Sequence, residues 1–534
     1  MRRFWIGVAV VAALTLGGCV KSSLRPDFER VPSESIAVAD GIATPIGREL
    51  APILANHPGQ SGFLMLDGNV EALLARVMLA DRAQRSIDLQ YYIYHGDPTG
   101  RLLTQRLVAA ADRGVRVRAL LDDMYVLGHD ASVAAVDAHP LIEVRVFNPF
   151  LSRGTSMGRQ FVRDSGRLNR RMHNKAFIVD GQVAVVGGRN IGDEYFGAKE
   201  EFNFRDLDLA AIGPVVPETA SNFDRYWNSA QSYPVAAFEG VAVGPAELDA
   251  ARERLQSDVR QFKETDYART ALKMDFIGKV RDSTLTLYWG AAVLESDLPE
   301  KGDPAMADST EVRITPRLRT LVEAARKQVV LISPYFVPGP NFTDFLVSLE
   351  ARGVEVLLLT NSLAANDVAA VHSGYAKYRK RLLAGGVEIH ELRPAPGGPV
   401  GSGPGSGGGN SLKGGSSGSG GSSSGASLHA KAFVVDAEVV FVGSFNMDPR
   451  SAQLNTEMGV VVQSPELSGA VLDYYRRGVA PESSYRVTLD GKGKLRWETM
   501  VDGKPVTYDK EPDASFWRRT QASLLRVLPI ESQL

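Results

Sequence analysis

Met172 to Asn190 reads M-H-N-K-A-F-I-V-D-G-Q-V-A-V-V-G-G-R-N, and Leu428 to Asn446 reads L-H-A-K-A-F-V-V-D-A-E-V-V-F-V-G-S-F-N. Reduced to polar positions, both are H-x-K-x4-D, six further residues, then G-[GS]-x-N. The chain has only 8 histidines, and two of them occupy this frame. Two copies with the same downstream Gly and Asn identify a chain built from two related halves.

Each copy is rich in Val, Ile and Phe and breaks once, at Asp180-Gly181 or at Asp436-Ala437-Glu438, which predicts two strands joined by a turn. Side chains two apart on an extended chain share a face, so His173 points with Lys175 and His429 with Lys431. Asp180 and Asp436 fall an odd number of residues beyond their lysines and turn to the other face, where the expected task is structural, capping or fixing the turn. The Gly-Gly or Gly-Ser step then brings Asn190 or Asn446 to the end of the second strand.

One copy supplies an imidazole, an ammonium and an amide, which is half of what a displacement at phosphorus needs. Two copies facing one pocket complete it. One His attacks a phosphodiester, the other protonates the leaving oxygen, and the Lys and Asn groups hold the non-bridging oxygens. The two imidazoles must start in opposite protonation states, so their surroundings must differ. The lysines provide the positive charge a divalent ion would otherwise bring, so neither a metal nor another cofactor is expected.

The paired motif resembles the phospholipase D superfamily signature in its two-motif, single-chain form. The resemblance covers most of the chain and implies a phosphohistidine intermediate, with His173 as nucleophile and His429 as acid and then base. Members also place an acidic residue further along each half to orient an imidazole. Asp206, in F-R-D-L-D-L after His173, and Glu457, in N-T-E-M-G after His429, are similar to that partner, with Asp208 competing for the first role. The implied fold is α/β: two similar domains, each a mixed sheet flanked by helices, with the active site at their interface.

Around the motifs a helix–strand–helix–strand order appears twice, over Asn69 to Leu121 and again over Leu318 to Thr360. A-D-R-G-V-R-V-R-A-L-L at Ala111 to Leu121 matches L-E-A-R-G-V-E-V-L-L-L at Leu349 to Leu359. The expected organisation is a signal over 1–19, a tether and irregular lead-in over 20–62, a first domain over 63–240, helical and loop material over 241–310, a second domain over 311–480, and a C-terminal hairpin and amphipathic helix over 481–534. The tract 396–427, almost entirely Gly, Ser and Pro, is expected to be a disordered insert. Tyr91 and Tyr335, at equivalent strand ends, are candidates for lining the pocket. Trp289 is expected to be buried, and Ser515 to Val527 to be amphipathic.

Met1-Arg2-Arg3, an apolar run to Leu16 and then L-G-G-C describe a secretory signal ending in a lipobox, with Cys19, the sole cysteine, as the lipidated residue. That places the protein in a bacterial cell envelope, held to the periplasmic side of a membrane by a lipid anchor. Sixty basic against 62 acidic residues give a net charge of -2, which argues against a non-specific nucleic-acid binder. No obligate protein partner is inferred.

G-G-R-N-I-G-D-E-Y-F after the first motif, S-I-D-L-Q-Y-Y-I and the ending L-P-I-E-S-Q-L resemble bacterial cardiolipin synthases, particularly their C-type branch. The resemblance implies a phosphatidyltransferase acting on phospholipids, with phosphatidylglycerol as acceptor and phosphatidylethanolamine as a second lipid. The alternatives are a phospholipase D hydrolase and, third, a phosphodiesterase acting on nucleic acid.

Overall fold

The computed structural model describes residues 24–25, 27–153, 157–200, 202–241, 244–394, 425–526 and 531–534. The expected signal, Cys19 and most of the Gly/Ser tract lie outside the described residues.

The first half contributes β1 (Ser61–Leu66), β2 (Ser86–Tyr91), β3 (Arg116–Asp122), β4 (Ile142–Phe147), β5 (Ala176–Val179), β6 (Val183–Gly187), β7 (Phe202–Arg205), β8 (Asp208–Ile212) and β9 (Ser232–Pro234). The second contributes β10 (Tyr288–Ser296), β11 (Gln328–Ile332), β12 (Glu355–Asn361), β13 (Glu388–Leu392), β14 (Gly425–Leu428), β15 (Ala432–Val435), β16 (Val439–Gly443), β17 (Met458–Gln463), β18 (Ser484–Leu489), β19 (Leu495–Val501) and β20 (Lys504–Tyr508). β2, β3 and β4 run parallel, and β5, β6, β8 and β1 extend that sheet antiparallel. β11, β12 and β13, then β15, β16, β17 and β10, repeat the plan.

Parallel neighbours need a crossover, and helices Pro98–Asp112 and Gly339–Ala351 supply it at equivalent places. Both are followed by a glycine in the left-handed region, Gly114 (φ 97°) and Gly353 (φ 81°), which turns the chain into the next strand. The two sheets join edge to edge. β1 pairs antiparallel with β10, with Gly62 opposite Trp289, and the result is one 18-stranded sheet. A Cβ on Gly62 would stand 2.9 Å from the Trp289 ring, so this position has no room for a side chain. Period-two alternation then builds a core common to both halves: Ala176, Ile178, Ala184 and Val186 pack in one cluster with Ala432, Val434, Val440 and Val442.

Four expectations need correction. The lead-in is not irregular: it forms helices Val38–Ile42 and Pro45–Ala55, because Thr44 caps the second by accepting from Gly47 N–H and Pro45 sits where its missing donor is harmless. The connecting segment is helical at Pro245–Lys263 but then supplies β10, whose β-branched and aromatic residues complete both sheets. Trp289 is only half-buried and stacks on His57 at 3.7 Å. The Gly/Ser tract ends early, since residues 425–428 form β14, paired in parallel with β7 of the other half. At the C-terminus, β19 and β20 form a hairpin through Asp502-Gly503, both at positive φ.

Asp180 and Asp436 sit at the β5–β6 and β15–β16 turns with φ 52° and 55°. Asp180 accepts from the N–H groups of Gln84, Arg85 and Ser86, and Asp436 from those of Arg326, Lys327 and Gln328. Each carboxylate thus fastens the entry to the first parallel strand of its own half. Asp180 is fully buried, whereas water reaches Asp436. Asp180→Ala should therefore cost about 3 kcal/mol and Asp436→Ala about 1 kcal/mol, because only the second leaves its donors a solvent partner. Urea unfolding of the two variants checks this, and equal losses would contradict it.

Candidate active site

His173 and His429 lie just before β5 and β15, in extended chain rather than in the strands themselves. What holds them is backbone pairing with the opposite half. Met172 bridges in parallel to Thr456, and His173 N–H donates to Thr456 C=O at 2.9 Å. In the same way Leu428 is opposite Arg205, and His429 N–H donates to Arg205 C=O at 2.8 Å.

Thr456 precedes Glu457 and Arg205 precedes Asp206, so this pairing carries each acid across to the other half's histidine. His173 Nδ1 meets Glu457 Oε2 at 2.8 Å, and His429 Nδ1 meets Asp206 Oδ2 at 2.5 Å. Each acid follows one histidine in the sequence but serves the imidazole of the other half, because strand order, which the sequence does not contain, decides the partner. The Asp206–Asp208 choice is also decided. Asp208 points the other way into a buried cluster, 2.8 Å from Arg76 Nη2 and 3.4 Å from Arg189 Nη1.

Lys175 Nζ donates to His173 C=O at 2.6 Å, and Lys431 Nζ donates to His429 C=O and lies 2.8 Å from His429 Nδ1. Both lysines and both histidines are buried. Asn190 accepts from Ile93 N–H at 3.2 Å while its side-chain NH2, a buried donor, has no protein partner, and Asn446, closing the second motif, is buried as well. The Asn190 NH2 is a donor suited to a phosphoryl oxygen.

The two imidazole–acid pairs are not equivalent. Ser444 Oγ donates to Glu457 Oε2 at 2.5 Å, and Asp297 Oδ2 accepts from Glu457 N–H at 2.8 Å while pairing with buried Lys301 at 2.7 Å. Burial raises Glu457 to about 7 against the pull of Lys175 and Ser444. Burial also works to raise Asp206, but His429, Lys431 and Arg189 hold it well below the usual carboxylate range. Burial, with both lysines adding to it, pushes His173 well below 6.5; burial and Lys431 bring His429 to about 4. Burial lowers Lys175 to about 7 and Lys431 to about 8, despite the nearby carboxylates. Desolvation lowers both lysines and the neighbouring carboxylates offset it only in part, so a bound phosphate would favour their ammonium forms.

Tyr91 does not line this site. Its ring is in the core and its hydroxyl accepts from Arg76 Nε at 3.0 Å, because strand alternation puts it on the helix side. Tyr92, one residue on, stands edge-on to His173 at 5.2 Å; Tyr195 and Phe204 stand against His429 at 5.2 and 4.7 Å. Tyr335, just past β11, donates to Asp367 Oδ2 at 2.7 Å. Tyr92 was within reach of the sequence, since Y-Y at a strand end leaves only the face to be decided; Asp297 and Lys301 carried no signal.

The family model described as "Cardiolipin synthase, PLD-like domain" matches residues 77–227 and 318–477. Cardiolipin synthase C of Escherichia coli (strain K12) is 42% identical over 484 residues, covering 90% of this chain and 98% of that protein. The chain belongs to the phospholipase D-like cardiolipin synthase family. An uncharacterized protein of Helicobacter pylori (strain ATCC 700392 / 26695) is 31% identical, covering 92% of this chain and 93% of that one. Among solved structures, phosphatidylserine synthase of Haemophilus influenzae Rd KW20 superposes with a TM-score of 0.55 at 12% identity, covering 91% of this chain and 99% of that chain. That likeness speaks for the two-domain fold of this family.

Crossed pairing has a direct spectroscopic consequence. In 15N spectra of the imidazoles, Asp206→Asn should displace the His429 resonances and leave those of His173 in place, and Glu457→Gln should do the reverse. Displacement of the histidine in the same half as the changed acid would refute the arrangement.

Proposed function

We propose that this member of the cardiolipin synthase family is a phosphatidyltransferase that works through a phosphohistidine and passes the phosphatidyl group to a phospholipid alcohol. The observation that carries the reading is the pair of crossed imidazole–carboxylate couples with a lysine beside each, all buried at one seam. Support for a lipid substrate comes from the near-complete match to a protein named cardiolipin synthase C.

His173, kept neutral by burial and two lysines, has a free Nε2 lone pair when its Nδ1–H is held by Glu457. That nitrogen attacks phosphorus. His429, backed by a carboxylate that stays ionised, is suited to carry a proton once the anionic substrate is bound. The P–O bond to the leaving alcohol breaks and His429 gives that oxygen its proton. In the second step His429 takes the proton from the incoming hydroxyl, which attacks phosphorus and releases His173. Lys175, Lys431, Asn190 and Asn446 hold the non-bridging oxygens, and no step calls on a metal or other cofactor. With phosphatidylglycerol as acceptor the product is cardiolipin; the alcohol released is glycerol from a phosphatidylglycerol donor and ethanolamine from a phosphatidylethanolamine donor.

No helix among the described residues is long and apolar enough to cross a membrane. Attachment through a lipidated Cys19 on the periplasmic side of the envelope completes the reading, because it sets the enzyme on its substrate surface.

Mass spectrometry of the lipids formed from phosphatidylglycerol vesicles, with and without phosphatidylethanolamine, tests the proposal. Cardiolipin is the expected product; phosphatidic acid alone would make the enzyme a hydrolase, and unchanged lipids with cleaved oligonucleotides would make it a nuclease. His173→Ala and His429→Ala should each lower turnover by about 10³-fold or more without lowering stability, and EDTA should leave the rate unchanged. The acidic limb of kcat/KM should rise through about 7, where Glu457 ionises to hold the His173 proton, and flatten in Glu457→Gln.

A further inference from the structure

Helix Phe516–Leu525 is inside out for a surface helix. Its outward face carries Phe516, Trp517 and Leu524, exposed by 67%, 77% and 64%, with Thr520 between them, while small Ala522 faces the protein. A helix packed for stability alone turns its large apolar residues inward. This one is fixed by polar contacts instead. Arg518 donates to the carbonyl oxygens of Leu363 and Asn366, and Ser373 Oγ donates to Ala522 C=O at 2.9 Å. Arg519 and Arg526 follow along one flank of the apolar face, the second of them exposed.

The position matters as much as the composition. Leu363 to Asp367 follows β12 at the carboxyl end of the parallel strands, the end at which His429 enters β15, and Asp367 holds the Tyr335 hydroxyl there. The first half has a counterpart. Helix Met157–Arg163 follows β4 at the equivalent end, where His173 enters β5, and it presents Val162, 71% exposed, and Met157 beside exposed Arg159. Apolar residues interleaved with arginines therefore stand at the carboxyl end of the parallel strands in both halves, the end at which each histidine enters its strand.

We infer that Phe516, Trp517 and Leu524, with Met157 and Val162 across the mouth, insert into the interfacial layer of an anionic phospholipid bilayer and turn the catalytic cleft toward it. The inference rests on the phosphatidyltransferase reading for its lipid substrate. A helix of 10 residues is too short to span a bilayer but long enough to lie in its interface, with aromatic rings at headgroup depth and arginines on the phosphates. Orientation is a separate matter from attachment: a flexible N-terminal anchor would keep the enzyme near the membrane without aiming the site.

The test uses the full chain on phosphatidylglycerol vesicles whose acyl chains carry bromine near the headgroup. Tryptophan emission should be quenched, and Trp517→Phe should remove most of that quenching; identical quenching in the variant overturns the proposal. Phe516→Ser/Trp517→Ser/Leu524→Ser should lower turnover of vesicle lipid by about tenfold and leave turnover of monomeric short-chain phospholipid within about twofold. An equal loss on both substrates, or a dimer in solution that the triple variant abolishes, overturns the proposal. If the parent quenches through Trp517 but makes no cardiolipin from any lipid, the docking surface stands and the phosphatidyltransferase reading falls.

Discussion

Two short parallel backbone pairings, Met172 with Thr456 and Leu428 with Arg205, carry the rest of the site. Each joins the residue before a motif histidine to the residue before the opposite half's acid. Backbone hydrogen bonds fix position to a few tenths of an ångström, so the imidazole–carboxylate distances follow from them. Neither half has a complete couple alone. The common apolar core and the β1–β10 pairing bring the halves together, and these bridges convert that proximity into two imidazole–carboxylate contacts.

Near-symmetry of the two halves makes their differences informative. At the position after the first motif glycine, one half has Gly188 and the other Ser444. A Cβ on Gly188 would come within 2.2 Å of the Asp206 carboxylate, so the shorter acid is matched to the residue without a side chain. In the other half Ser444 donates to the longer Glu457. Likewise Asp122 accepts from Met172 N–H where Asn361 brackets Leu428, accepting from its N–H and donating to its C=O. The two acids are no longer equivalent: His429, Lys431 and Arg189 hold Asp206 well below the usual carboxylate range, whereas burial raises Glu457 to about 7 although Lys175 and Ser444 oppose it. A two-step transfer needs that inequality, because one imidazole must be bare while the other carries the proton.

Much of this was legible in the linear chain wherever a local rule applied. H-x-K spacing placed imidazole and ammonium on one face because the extended backbone has a period of two. Asp180-Gly181 marked a turn because few other residues tolerate its left-handed backbone. The lead-in helices are not legible in the same way, because the segment is polar and weakly periodic and Pro45 starts its helix behind the Thr44 cap. Residues 425–428 were misread because a low-complexity composition hides the point at which a partner strand becomes available.

The sequence by itself determined the two-half architecture, the family and the candidates His173, Lys175, His429 and Lys431, since motif spacing and hydrophobic period are properties of neighbouring residues. Tertiary structure alone decided which acid serves which histidine, that Tyr92 rather than Tyr91 meets the site, and that β10 welds the sheets. Those outcomes depend on strand order and on which face meets which, and pairings over more than 200 residues leave no trace in local spacing.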